Sequence, residues 1–228
     1  MKYFLGTEEI NFSEKELLDS YINEGTEGIT YKYKNSAIKI YSNTYPYKPK
    51  LSEEEIFRMS KIPTKRILMP EKPLYDEKMN LAGCSTKYQI EAPKDRISYI
   101  TMGEFIRELE IIKQDAILLS KFKVMLEDLS IGNLLMTQEG IYLCDPGSYY
   151  FDESKSELDV LDYNFTELNF YFTRVLFDRY MKLTKKYQNI LEKYFEPSTD
   201  FFLDKLKQED ISKKIKTRTF FTNFTKTL

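Results

Sequence analysis

The sequence predicts an α+β fold in two lobes with a cleft between them, on three observations. Residues 20–41, SYINEGTEGITYKYKNSAIKIY, alternate and are rich in β-branched and aromatic side chains, the pattern of half-buried strands. After residue 95 the apolar spacing takes the helical period, with Phe105, Leu109, Ile112, Ala116 and Leu119 on one face. Between the two lies Glu91-Ala92-Pro93-Lys94-Asp95, a polar, proline-bearing linker. The expected division is a β-rich lobe over residues 1–90 and a reduced helical lobe over residues 91–228.

The elements follow in order. Residues 20–41 divide into a strand, a glycine turn, a second strand, a turn at Lys34-Asn35-Ser36 and a third strand. LSEEEIFRMSK, residues 51–61, predicts a helix with Ser52 as N-cap and three acids in its first turn. Two more strands are expected around 67–75 and 81–90, joined by the polar turn Asp76-Glu77-Lys78-Met79-Asn80. Thr101-Met102-Gly103-Glu104 has capping-box spacing and opens the amphipathic helix. Leu134-Leu135-Met136 and Ile141-Tyr142-Leu143-Cys144 flank Thr137-Gln138-Glu139-Gly140, which predicts a tight buried hairpin. A long aromatic-rich helix is expected from Leu158 to about Leu183, a shorter one near 184–195, and a basic helix with an irregular end beyond 205.

Composition narrows the chemistry. At 228 residues, 42% hydrophobic and 31% charged, the chain is long enough to bury a core and unlike a disordered one. The formal charge of −2 exerts no general pull on nucleic acid, although residues 205–228 carry seven basic side chains against Glu209 and Asp210. That tail, with Phe220, Phe221 and Phe224, suits a solvated helix packing its aromatics on the second lobe better than contact with nucleic acid or a membrane surface. Only Cys84 and Cys144 are present, both in strand-like runs, so reduced core thiols are expected rather than a disulfide framework. The N-terminal apolar run is too short for a signal peptide, and no run of 18 apolar residues would span a membrane, so a cytoplasmic protein is expected. The chain has no histidine. That removes Ser-His-Asp and Cys-His catalysis, His-ligated zinc and imidazole bases together. Carboxylates, lysines or an oxygen-bound cation must carry any chemistry, and phosphoryl transfer tolerates that restriction because it rests on positioning and charge neutralisation.

Four short features stand in order along the chain. Asn23-Glu24-Gly25-Thr26-Glu27-Gly28 joins two strands, where glycines let backbone approach a phosphate, or simply make a hairpin turn. Ala37-Ile38-Lys39 places Ala37 and Lys39 on one face of the next strand, opposite an apolar face, with Glu53, Glu54 and Glu55 of the following helix as possible anionic partners. Those acids also compensate the helix dipole. Asp128-Leu129-Ser130-Ile131-Gly132-Asn133 sets an Asp and an Asn five residues apart in a loop entering the hairpin, and Asp145-Pro146-Gly147 leaves it. Antiparallel pairing returns Asp145 beside Asn133, an oxygen pair suited to magnesium, with Asp128 placed to take a proton from a hydroxyl; ordinary Asx turns are the alternative.

Taken together, this order resembles the protein-kinase-like fold over roughly residues 20–170. The resemblance implies ATP and magnesium as cofactors. It implies Gly25 and Gly28 in the phosphate loop and Lys39 on the nucleotide phosphates. Glu53, or else Glu54, becomes the helix partner of Lys39. Thr86-Lys87-Tyr88-Gln89 becomes the hinge that bonds adenine, with Lys87 and Tyr88 in contact with the cofactor. Asp128 is the catalytic aspartate, Asn133 and Asp145 are metal ligands, and Asp159 or Asp162 braces the catalytic loop. The departures are informative too. Asn23 replaces the first glycine, and Leu126-Glu127 replaces His-Arg, so a phosphorylated activation loop would be repelled. About ten residues separate Asp145-Pro146-Gly147 from the long helix, without an Ala-Pro-Glu motif. The pattern is closer to RIO-type atypical kinases or aminoglycoside and choline phosphotransferases. The implied activity is phosphoryl transfer to a hydroxyl, with a protein Ser/Thr acceptor ahead of a small molecule; the alternative is a nucleotide-binding pseudokinase or interaction module. The abundant tyrosines, including Tyr149-Tyr150, suit core and cleft cover better than autophosphorylation.

Overall fold

The computed structural model describes residues 1–42, 51–90, 100–129 and 131–181, with side chains of the last helix described to residue 172. The linker at 91–95, the shorter helix at 184–195 and the basic tail lie outside the described residues, as does Ser130.

Seven strands form one strongly curled antiparallel sheet, a half-barrel. They are β1 (Lys2–Leu5), β2 (Glu8–Asn11), β3 (Tyr21–Gly25), β4 (Gly28–Tyr33), β5 (Ser36–Tyr41), β6 (Pro70–Tyr75) and β7 (Leu81–Lys87), in the order β2-β1-β6-β7-β5-β4-β3. The five strands from β3 to β7 stand where the alternation predicts. The β1–β2 hairpin and helix α1 (Glu14–Ser20) are additions that the sequence reading did not include. Both carry legible local signals. Gly6 at φ 60° heads a two-residue turn, and Ser13 with Glu16 forms a complete capping box.

The sheet buries both faces. Leu5, Ile10, Phe12, Leu17, Ile38 and Leu74 form a small core on one side, where α1 and the first hairpin cover it. The opposite side joins the main core, which runs through α2 (Glu53–Met59), α3 (Met102–Lys121) and α4 (Glu157–Met181). Ser52 and Thr101 close reciprocal capping boxes with Glu55 and Glu104. All five residues of the predicted α3 face are buried at 4% exposure or less. Each such side chain contributes roughly 1.5–3 kcal/mol relative to leaving it in water.

The predicted hairpin is present as β9 (Leu134–Met136) and β10 (Ile141–Leu143), paired Leu134 to Leu143. A second short ladder joins β8 (Val124–Met125) to β11 (Tyr150–Phe151). The connection from α2 to β6 links sheet and hairpin: Leu68 donates to the Leu143 carbonyl at 2.8 Å, and Leu143 returns a bond to Arg66 at 2.9 Å. Asp115 of α3, 3% exposed, accepts the amides of Lys65, Arg66 and Ile67. Arg66 then ties Glu108 of α3, at 2.6 Å, to the Tyr142 hydroxyl and the Glu139 carbonyl. Among the described residues no helix is long and apolar enough to cross a membrane.

Asp115→Ala leaves three amides without their acceptor in a buried seam and should lower the unfolding free energy by roughly 3 kcal/mol. Urea denaturation checks this against Glu54→Ala, an exposed position that should change stability by no more than about 0.5 kcal/mol.

Candidate functional site

Lys39 lies in β5, opposite Cys84 of β7 and Thr30 of β4. Its neighbours Ile38 and Ile40 belong to the small core on the far face, so alternation turns Lys39 to the opposite face, where it meets Asp145. There its Nζ is 2.5 Å from Asp145 Oδ1 and 2.5 Å from Glu27 Oε2. The Lys39 and Glu27 side chains are only 13% and 12% exposed. Burial pulls the ammonium pKa down, but Asp145 first and Glu27 after it outweigh that, so Lys39 titrates above its ordinary value and stays charged.

Asp145 reaches Lys39 because the hairpin returns the chain. Cys144 donates its amide to the Asn133 carbonyl at 2.8 Å, so antiparallel pairing sets Cys144 opposite Asn133 and Asp145 one residue beyond, at the same open end of the hairpin. Asp145 itself has φ 70° and ψ 67°, a left-handed conformation, and Pro146-Gly147-Ser148 leaves it in a 3-10 turn. A Cβ on Gly147 would stand 2.5 Å from Glu27 Oε2 and 3.3 Å from both Asp145 Oδ1 and Lys39 Nζ. Any side chain at this position would displace Glu27 from its seat.

Asp128 is exposed and also left-handed, with φ 55°. Its carbonyl accepts from Asn133 Nδ2 at 3.2 Å, so the predicted catalytic and metal-binding residues of the loop touch each other. Five non-glycine described residues have positive φ, and two of them are Asp128 and Asp145. Backbone outliers of this kind concentrate at functional sites because the surrounding fold must hold them there.

The pairing of Lys39 with Glu53 is not what the structure contains, and Glu54 does not replace it. Helix α2 turns Ile56 and Met59 into the core, which leaves Glu53 and Glu54 exposed. Glu53 sits instead beside Tyr75, whose hydroxyl is pushed up to about 12 by burial and then by its bond to Glu53. The second carboxylate that meets Lys39 comes from the turn between Gly25 and Gly28. Of those two glycines, Gly28 has φ 156°, and a side chain there would collide with the Ile40 carbonyl; Gly25 has open space around it. Gly83 of β7 is a further glycine of the site, packed against the Lys39 carbonyl where a side chain has no room.

The predicted hinge lies at the end of β7. Lys87 is exposed and pairs with Ser36, while the Tyr88 amide donates to the Asn35 carbonyl at 2.9 Å and its ring lies under Lys32. Three residues separate Lys87 from Cys84, roughly 10 Å along a strand. The brace on the loop before Asp128 is neither Asp159 nor Asp162. Asp159 caps the start of α4 through Ser156, and Asp162 is exposed, its carbonyl accepting from Thr166. Asn164, wholly buried, does the bracing: its Oδ1 accepts from the Leu126 amide at 2.8 Å and its Nδ2 donates to the Val124 carbonyl at 2.9 Å. An amide matches one donor and one acceptor, a pairing that a carboxylate at this position would not satisfy.

The chain matches no family model, and no curated protein matches it.

Cys84 is fully enclosed opposite Lys39, and its thiol is pushed up to about 11 by burial, which outweighs the lowering by its bond with Tyr41 and by the Lys39 charge. At about pH 8 it should therefore resist iodoacetamide in the native protein and react once urea opens the fold. Peptide mass spectrometry of the two states checks this.

Proposed function

We propose that the protein is an ATP- and magnesium-dependent phosphotransferase acting on a hydroxyl, with a protein Ser/Thr side chain as its acceptor, on an atypical protein-kinase-like fold. One observation carries the reading. Lys39 and Asp145, 106 residues apart in sequence, meet in a part-buried contact, with Gly147 close beside them and Asn133 paired with the residue before Asp145. A structural ion pair accounts for Lys39 and Asp145 alone. It leaves unexplained the two left-handed aspartates, the Asp128–Asn133 contact and the buried Asn164 clamp on the loop before Asp128.

Lys39, a compact ammonium with a raised pKa, suits the phosphate oxygens of a nucleotide. The end of β7, roughly 10 Å farther along, is at a fitting distance for the base. Asn133 and Asp145 fit a hard divalent cation. Asp145 offers a carboxylate, and Asn133, with Nδ2 engaged by Asp128, has its amide oxygen left for a ligand. When bound, magnesium supplies neutralisation of phosphate charge. Asp128, exposed and held by its neighbours, would orient the acceptor hydroxyl and take its proton. Glu127 in place of an arginine removes the usual docking point for a phosphorylated activation loop, so the site would not depend on that switch.

Magnesium-ATP at a hundredfold excess over its dissociation constant should stabilise the protein by about 2.7 kcal/mol, seen as a rise in melting temperature. Lys39→Ala and Asp145→Ala should lose that rise, whereas Asp128→Ala should keep it. Transfer from radiolabelled ATP should fall roughly 10²- to 10⁴-fold in Asp128→Ala. A melting temperature indifferent to nucleotide in the wild type defeats the nucleotide reading. Binding without transfer leaves the pseudokinase reading in its place.

A further inference from the structure

Lys39 has two carboxylate partners, and Glu27 is the one with no part in the reading above. It sits on the two-residue connection between β3 and β4, and its carboxylate is aimed inward at the cluster. Oε2 takes the Lys39 ammonium at 2.5 Å, and Oε1 accepts from Ser148 Oγ at 3.3 Å. Ser148 directly follows Asp145-Pro146-Gly147, so this one side chain joins the glycine turn of the first lobe to both faces of the cleft.

We infer that Glu27 is an internal occupant of the phosphate position, a latch that a nucleotide's phosphates must displace to reach Lys39. The inference rests on the nucleotide-binding reading of the same cleft. Space and charge both argue for it. Glu27 Oε2 lies so near Gly147 that even a methyl group there would stand 2.5 Å from it, so no phosphate fits between the turn and Gly147 while Glu27 is seated. One ammonium facing two carboxylates leaves the cluster net negative, and an incoming polyphosphate meets repulsion until Glu27 withdraws. A carboxylate and a phosphate both present oxygens to a lysine ammonium, so the exchange replaces one anion by another on the same donor.

The turn is also built to lift. Strand β3 is the edge of the sheet, paired with β4 alone, and all five of its residues are exposed. Gly25, at the start of the turn, has no heavy atom within 4 Å of where a Cβ would be. The base of the turn is anchored at its other end. The Glu27 carbonyl accepts from the Ser42 amide at 2.8 Å, and Gly28 is packed against Ile40. Opening therefore needs rotation of the Glu27 side chain and movement of an exposed edge, while the sheet beneath stays in register.

Equilibrium binding of magnesium-ATP and of adenosine to the wild type, Glu27→Gln and Ser148→Ala tests the latch. Glutamine keeps the shape and removes the charge. ATP should bind about tenfold more tightly to Glu27→Gln, a change of about 1.4 kcal/mol, and about twofold more tightly to Ser148→Ala. Adenosine, lacking phosphates, should bind all three alike. If the wild type binds ATP and both variants bind it equally or more weakly, Glu27 supports Lys39 rather than blocking it, and the latch is overturned. If folded protein of every variant binds neither ligand, the nucleotide reading fails, and the latch with it.

Discussion

Asp115 holds the backbone of residues 65–67 between α3 and the β9–β10 hairpin, and the geometry of the site depends on that seam. The sheet carries Lys39 and the hairpin carries Asp145, and nothing in the covalent chain brings them together over the 106 residues between. The three amides on Asp115, the bonds of Leu143 with Leu68 and Arg66 and the Arg66 side-chain network fix the hairpin against the connection that leads into β6. Fixing it there costs the entropy of ordering the connection, which the continuous apolar core along the same seam offsets.

With sheet and hairpin so joined, the cluster around Lys39 is decided by packing as much as by charge. Desolvation alone would favour a neutral lysine, and two carboxylates within hydrogen-bond reach reverse the preference. Gly147, without a side chain, leaves space beside all three groups. The segment before Asp128 is held with equal economy. Asn164 clamps the chain just before Asp128, Asn133 bonds the Asp128 carbonyl, and the ladder of β8 with β11 ties the same loop to the exit from Asp145-Pro146-Gly147. Two aspartates in left-handed conformations are thus held from both sides.

Local signals carried much of the fold. Alternation placed β3, β4 and β5, the Ser52 and Thr101 capping boxes placed α2 and α3, and the four-residue connection between apolar runs placed the hairpin and its register. Lys39, Asp128, Asn133 and Asp145 were legible for the same reason, since strand alternation and hairpin pairing are short-range rules that say where side chains go. The first hairpin and α1 also carry local signals, Gly6 and the Ser13–Glu16 box, but each strand of that hairpin is only four residues long, too short for alternation to stand out. The partner of Lys39 was a different matter. Spacing alone offers the three consecutive acids of α2, whereas the inward aim of Glu27 depends on the curl of the sheet and the seat of its turn.

By itself the sequence determined the classes of element, the absence of imidazole chemistry, and the carboxylates and amides available at the hairpin's open end, because each follows from residue type and near-neighbour spacing. Only the tertiary structure decided which acid meets Lys39 and which residue braces the segment before Asp128. In α2 the burial of Ile56 and Met59 sets the helix rotation and leaves the acids outside, so the turn supplies Glu27 instead. In α4 the buried face presents Asn164 to a free amide and a free carbonyl, and a group that both donates and accepts satisfies them where Asp159 and Asp162 do not.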